Sequence, residues 1–75
     1  MELVPVRCRI PELLERIGKN QQWLADMIGI SKQHMSNIVN MRYDDMSYKR
    51  AALIAHYLHC QMDDLHEWEW RQPSS

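Results

Sequence analysis

Residues 20–40 run Asn-Gln-Gln-Trp-Leu-Ala-Asp-Met-Ile-Gly-Ile-Ser-Lys-Gln-His-Met-Ser-Asn-Ile-Val-Asn, and they carry the clearest structural signals in the chain. Asn20 and Ser31 are favourable helix N-caps, because a short side-chain oxygen there accepts hydrogen bonds from free backbone N–H groups. Each begins a run in which apolar residues recur three and four positions apart, as in amphipathic helices. Gly29 lies between the two runs and tolerates the positive φ of a helix end. The stretch therefore predicts two helices, residues 20–28 and 31–40, joined by a tight turn.

The second of these helices has two chemically different faces. Met35 and Ile38, with Ile30 just before them, would hold it against the first helix, where the small Ala25 permits close crossing. The opposite face carries short, amide or cationic side chains: Lys32, Gln33, Ser36 and Asn37. Such groups are suited to hydrogen-bonding base edges in a major groove. The alternative is an ordinary solvated helix face.

Further short helices are predicted around this pair. Pro11 fits the first turn of a helix that stops at Gly18, Ser47 caps another helix, and a last turn covers residues 62–65. The positions expected to face inward in the first and fourth helices are Leu13, Leu14, Ile17, Tyr48, Ala51, Ile54, Ala55 and Leu58. Apolar and polar residues alternate over 4–10 and 66–70, which predicts either two paired strands or irregular extended chain.

The helix-turn-helix stretch resembles the Cro/repressor family of regulators, also called the Xre family. The shared pattern is Gln-x-x-Leu-Ala-x-x-x-Gly-Ile-Ser over residues 21–31, and the likeness extends over roughly residues 10–66. It implies an all-α, compact five-helix, lambda-repressor-like bundle, with or without the two-stranded pairing of the termini. We expect one domain over residues 1–72 and a disordered tail at 73–75.

The resemblance also implies a function: sequence-specific binding of double-stranded DNA by a transcriptional regulator, of the repressor kind found in phages and mobile elements. By position, Lys32, Gln33, Ser36 and Asn37 would contact bases. The expected DNA-backbone contacts are Gln21, Ser31, His34, Asn40 and Arg42. Because a module this small buries little DNA-facing surface, we expect a homodimer on a palindromic site.

The sequence departs from the family's pattern at several positions. Leu14 and Val39 stand where an arginine and a glutamate often pair, which predicts an apolar contact in place of an ion pair. Met41 replaces the usual glycine after the recognition helix, so we expect the loop to turn differently there. Lys19 stands where an apolar residue is usual.

The charge distribution leaves a second hypothesis open. Net charge is −1, with eight basic against six acidic residues in 1–50 but one against four in 51–75. A positive face is compatible with DNA binding, whereas an acidic last third would be repelled by it. The alternative is a helix-turn-helix fold used as a protein-interaction module, an accessory or antagonist of another regulator. Four apolar residues outside the predicted core would either be covered by a folded-back C-terminal segment or form a self-association surface: Leu53, Tyr57, Trp68 and Trp70.

Other classes of function have little support in the sequence. Cys8, His56, His59 and Cys60 lack the paired spacing of zinc sites, and no nucleophile stands at a suitable distance from a base. We therefore predict no enzyme, no metal and no cofactor. No apolar stretch is long enough to span a bilayer and no signal peptide is present, so we expect a cytoplasmic protein with reduced cysteines.

Overall fold

The computed structural model describes residues 1–42 and 46–72; the predicted disordered tail, 73–75, lies outside the described residues. The elements in chain order are strand β1 (Glu2–Cys8), helices α1 (Ile10–Arg16), α2 (Gln21–Ile28), α3 (Lys32–Val39) and α4 (Tyr48–Leu58), a 3₁₀ turn (Met62–Leu65) and strand β2 (His66–Arg71). The all-α, five-helix prediction therefore holds only in part. The described chain has four α-helices, the expected fifth is a single 3₁₀ turn, and the termini form a sheet.

The core lies where the inner faces of the helices meet. Ile10 is fully buried as the first residue of α1, so it ends the apolar alternation of the first strand rather than belonging to it. Tyr48 was predicted to face inward and is instead 78% exposed, because it is the first residue of α4 and lies beyond the packed part of that helix. The buried apolar residues are Cys8, Ile10, Leu13, Leu14, Leu24, Ala25, Met35, Ile38, Ile54, Ala55, Leu58 and Leu65.

The two ends of the chain pair as an antiparallel two-stranded sheet, which decides between the alternatives left open by the alternating pattern. Glu2 lies opposite Arg71 and Cys8 opposite His66, with a bulge between Pro5 and Arg7. The N–H of Arg9 donates to the carbonyl of Leu65 at 2.8 Å, which joins the sheet to the core at its inner end. The sheet thus fixes α1 and the 3₁₀ turn relative to each other.

Apolar residues fill the position of the family's frequent ion pair. Leu14 is buried in the core, and Val39 is partly buried and packs against the same cluster. Both side chains are uncharged, so no desolvation of charge is needed at this place.

Candidate nucleic-acid interface

Side-chain caps begin both α2 and α3, and Gly29 lies in the turn between them. Asn20 Oδ1 accepts from the Trp23 N–H at 2.8 Å, and Ser31 Oγ accepts from the His34 N–H at 3.0 Å, so both predicted caps are confirmed. Gly29 adopts φ 75°, the left-handed conformation predicted for it. The Ile30 N–H donates to the Ala25 carbonyl at 3.0 Å. The Gly29 conformation, the Ile30–Ala25 bond and the Ser31 cap together set the direction of α3 relative to α2.

The polar face of α3 is not uniformly exposed. Lys32 and Gln33 are exposed in the first turn, Ser36 is half-buried, and Asn37 is only 9% exposed. Asn37 Oδ1 accepts from Gln33 Nε2 at 3.2 Å and from Arg42 Nη1 at 3.3 Å. Asn37 is therefore nearly buried and hydrogen-bonded to two of the other predicted DNA contacts, Gln33 and Arg42. Its four-residue separation from Gln33 was the available sequence signal for the first of these bonds.

The chain leaves α3 through a left-handed residue. Met41 has φ 56°, and its N–H donates to the Ile38 carbonyl at 3.1 Å. At this position the expected different turn is not seen, because methionine adopts the backbone conformation that glycine favours and its side chain packs against the core. Residues 43–45 of the loop lie outside the described residues. The next N–H, of Arg42, donates to the Asn37 carbonyl at 2.9 Å. Asn40 Nδ2 donates to the Ser36 carbonyl at 2.8 Å. Asn40 and Arg42 thus stay against the end of α3.

Arg50 is a neighbour of α3 that the sequence did not single out. Its Nη1 lies 3.0 Å from Nε2 of His34, which places the imidazole between α3 and α4. Because a guanidinium can only donate, Nε2 is the acceptor in this pair. The Ser47 cap, whose Oγ accepts from the Arg50 N–H at 3.2 Å, positions this first turn of α4.

At the start of α2, Gln21 is exposed as the first helical residue. Lys19 Nζ lies 5.4 Å from the centroid of the Trp23 ring, a cation–π distance, which explains how a lysine is accommodated at this position. Trp23 in turn contacts Tyr57 edge-on, with ring centroids 6.1 Å apart.

The four apolar residues outside the predicted core do not form one cluster. Tyr57 is half-buried against Trp23, whereas Leu53, Trp68 and Trp70 are 40%, 42% and 63% exposed. Trp68 Nε1 donates to the Asp63 carbonyl at 2.8 Å, and its ring meets His66 edge-on. Covering by a folded-back C-terminal segment therefore does not account for them.

Acidic residues of the last third take part in ion pairs on the sheet. Arg7 Nη2 lies 2.6 Å from Glu67 and 2.7 Å from Glu12, and Arg71 Nη2 lies 3.6 Å from Glu69. Hydrogen bonds from Arg7 lower the pKa of both Glu12 and Glu67. Within residues 1–42 and 46–72, every ion pair joins residues of β1, α1 or β2, or Arg9, which lies between β1 and α1. Lys32 and Arg42 take part in none of them.

No group of three or more His, Cys, Asp or Glu side chains in the described ranges is placed to hold a metal ion. Cys8 and Cys60 are free thiols, and burial raises the pKa of each. Among the described helices none has the length and hydropathy to cross a membrane.

Comparison with known proteins gives a family match over most of the chain. A sequence model of the Cro/C1-type HTH DNA-binding domain matches residues 9–70, from the residue before α1 to the penultimate residue of β2. A similar protein is the SPbeta prophage-derived uncharacterized HTH-type transcriptional regulator YopS of Bacillus subtilis (strain 168). The two are 35% identical over 63 residues, which cover 84% of this chain and 85% of the relative.

Proposed function

Because this chain belongs to the family of Cro/C1-type helix-turn-helix DNA-binding domains, we propose that it is a sequence-specific regulator that reads the major groove with α3. The observation that carries the proposal is the turn between α2 and α3, in which Gly29 ends α2 and the Ser31 cap begins α3, so that Lys32 and Gln33 lie in the exposed first turn of the second helix. N-terminal residues of a recognition helix are those that reach base edges in this class of protein.

Gln33 is the residue best suited to read a base. One Nε2 hydrogen is engaged by Asn37, which orients the amide and leaves Oε1 and the second hydrogen for a partner. An adenine presents a matching acceptor and donor, N7 and N6. Lys32, beside it, reaches either guanine acceptors or a phosphate. Ser36 and Asn37 lie deeper on the same face and complete the proposed base-reading set.

The proposed backbone contacts surround this set. Gln21 and Ser31 lie at the N-termini of α2 and α3, where free N–H groups favour a phosphate. Asn40 and Arg42 are held at the other end of α3 by the turn at Met41. His34 is held by Arg50 on the side of α4.

We further propose that the protein acts as a homodimer on a palindromic site and comes from a phage or mobile element. A single small module buries about 600–1,000 Å² on DNA, which favours two copies on half-sites one helical turn apart. The prophage origin named for the YopS relative supports the second part.

A selection from a random duplex library tests this function. The full chain would be selected at low salt, and the enriched pool retested at physiological salt. An enriched palindrome supports the proposal together with its dimeric mode. No enrichment by a folded protein, checked by circular dichroism, would refute it.

The second candidate is a protein-interaction module that antagonises or assists another regulator. The observation in its favour is the exposure of Trp68 and Trp70 on β2. The two functions differ in their response to salt: DNA binding weakens steeply as counterions are added, whereas an apolar protein contact changes little.

A further inference from the structure

The sheet formed by the chain ends is amphipathic, and its apolar side is open. Leu3 pairs with Trp70 and Pro5 with Trp68, so these four side chains, here called the tryptophan face, share one side of the sheet. All four are exposed. The other side carries the ion pairs of Arg7 with Glu67 and of Arg71 with Glu69. Charges are satisfied on one side, while large apolar surface remains in water on the other.

The two edges of this sheet differ in their ability to accept another strand. β1 contains Pro5, which has no N–H to donate, and a bulge follows it. Both features prevent continuous pairing along an edge. β2 (His66–Arg71) contains no proline and no bulge. Within the described residues it is paired along one edge only, with β1. The free edge of β2 is thus the place where a strand can be added.

The sequence of β2, His-Glu-Trp-Glu-Trp-Arg, is complementary to itself in one antiparallel register. When two copies pair with Glu69 at the twofold axis, Glu67 lies opposite the partner's Arg71 and Trp68 lies opposite the partner's Trp70. The existing β1–β2 register then continues both rows across four strands. One row alternates in charge: Arg7, Glu67, the partner's Arg71, the partner's Glu2. The other row is wholly apolar: Pro5, Trp68, the partner's Trp70, the partner's Leu3.

We infer that β2 is a self-association strand, which pairs with β2 of a second copy around Glu69 to make a four-stranded sheet with a joint tryptophan face. This deepens the homodimer proposed above and names its interface, but it does not depend on DNA. Opposite charges and aromatic residues that face each other across strands stabilise a sheet. The contact is isologous, as a closed twofold dimer requires.

One contact opposes the pairing and makes the register testable. Glu69 lies opposite its own copy, and like charges directly opposite each other are destabilising. In the monomer Arg71 lies 3.6 Å from Glu69 and offsets part of this repulsion. Edge pairing leaves most of the tryptophan face in water and buries mainly the two β2 backbones and the facing sides of Trp68 and Trp70, so the contact is smaller than a standard interface of about 800 Å² per copy. We therefore expect a dimer with a dissociation constant in the micromolar range, about 10–100 µM.

Sedimentation velocity of the full chain without DNA, from about 1 to 500 µM, measures this association. Trp70→Ser removes an exposed ring twice per dimer and should weaken association about tenfold or more. Arg71→Glu should weaken it because each Glu67 then faces a carboxylate. Met27→Ser is the matched control, since Met27 is an exposed apolar residue on α2, and it should leave the dimer dissociation constant within about twofold of the parent value. Circular dichroism checks that each variant is folded.

Glu69→Gln is the decisive variant, because a gain in a discrete dimer differs from the large, heterogeneous aggregates that misfolding produces. It should tighten the dimer about threefold by removing the like-charge contact. Weaker association of this variant would overturn the Glu69-centred register. A parent chain that stays monomeric throughout the range would overturn the inference as a whole, as would a dimer broken by Leu53→Ser on α4 but not by Trp70→Ser. Because no DNA is present, failure here leaves the DNA-binding proposal to be judged by its own selection experiment.

Discussion

Met41 offers a direct test of the turn that follows α3. Its φ of 56° lies in the left-handed region, which costs a non-glycine residue roughly 1–2 kcal/mol. Met41→Gly and Met41→Ala both remove the side chain that packs against the core, so comparing these two variants isolates the backbone. Glycine relieves this cost, but its greater freedom in the unfolded chain offsets about 0.5–1 kcal/mol of the stability gained. Met41→Gly should therefore be more stable than Met41→Ala by about 0.5–1 kcal/mol.

Thermal and urea unfolding followed by circular dichroism measure this difference. For a domain of this size, it corresponds to a Tm higher by about 2–8 °C for the glycine variant. Ala52→Gly, at an exposed position inside α4, is the matched control and should lower stability by about 0.5–1 kcal/mol, because α-helical φ gives glycine no advantage. If Met41→Ala proves as stable as Met41→Gly while the control behaves as stated, the turn is not left-handed and the placement of Arg42 against α3 is refuted.

Three further predictions concern the interface and the sheet. Gln33→Ala should cost about 1–3 kcal/mol in operator affinity and relax preference at one base pair, as judged by fluorescence anisotropy on operator variants; Gln22→Ala on α2 is the control and should change neither. Arg42→Ala should weaken binding equally on all sequences and reduce the slope of log K against log salt by about 1, so a loss confined to one base pair would contradict its phosphate role. Burial lowers the pKa of His66, so the folded chain binds a proton less readily than the unfolded chain. The free energy of unfolding should therefore fall as pH drops below about 6.5. Urea titrations at about pH 7.5 and 5.5 measure this fall, which should be smaller in His66→Gln. An equal fall in the parent and the variant would contradict the burial of His66.

The helical part of the fold could be predicted because its signals are local. Asn20, Ser31 and Ser47 each cap the helix that follows, and Gly29 is left-handed, as the sequence indicated. Each of these features depends on one side chain and the next three or four residues. The pairing of the chain ends could not be decided in this way, since an alternating pattern does not say whether a partner strand lies beside it.

Met41 shows why the turn directly after α3 was misjudged. The absence of glycine indicated a different turn, but a positive φ in another residue is tolerated when surrounding contacts fix it. Here the side chain packs against the core and the two N–H groups of Met41 and Arg42 return to α3. The backbone preference of one residue type cannot predict these contacts, because they form only in the tertiary structure.

The members of the candidate site could be named from sequence, but their connections could not. The exposure of Lys32 and Gln33 follows from helical periodicity once Met35 and Ile38 are assigned to the core. The bond from Arg42 to Asn37 requires the path of the chain after α3, and the contact between His34 and Arg50 requires the packing of α4. Both depend on where separate elements come to lie.

The acidic net charge bears on how this chain would bind DNA. Glu67 and Glu69 form ion pairs with Arg7 and Arg71, so two of the four acidic residues of the last third are neutralised locally. Lys32 and Arg42 remain as cations at the proposed interface. Each phosphate neutralised contributes about 0.9 to the salt slope, and few such contacts give weak non-specific binding. On the proposed function, a protein of this charge would gain much of its affinity from base contacts and from a second copy, so the roles proposed for Gln33 and the β2 edge are the two that most affect its affinity for DNA.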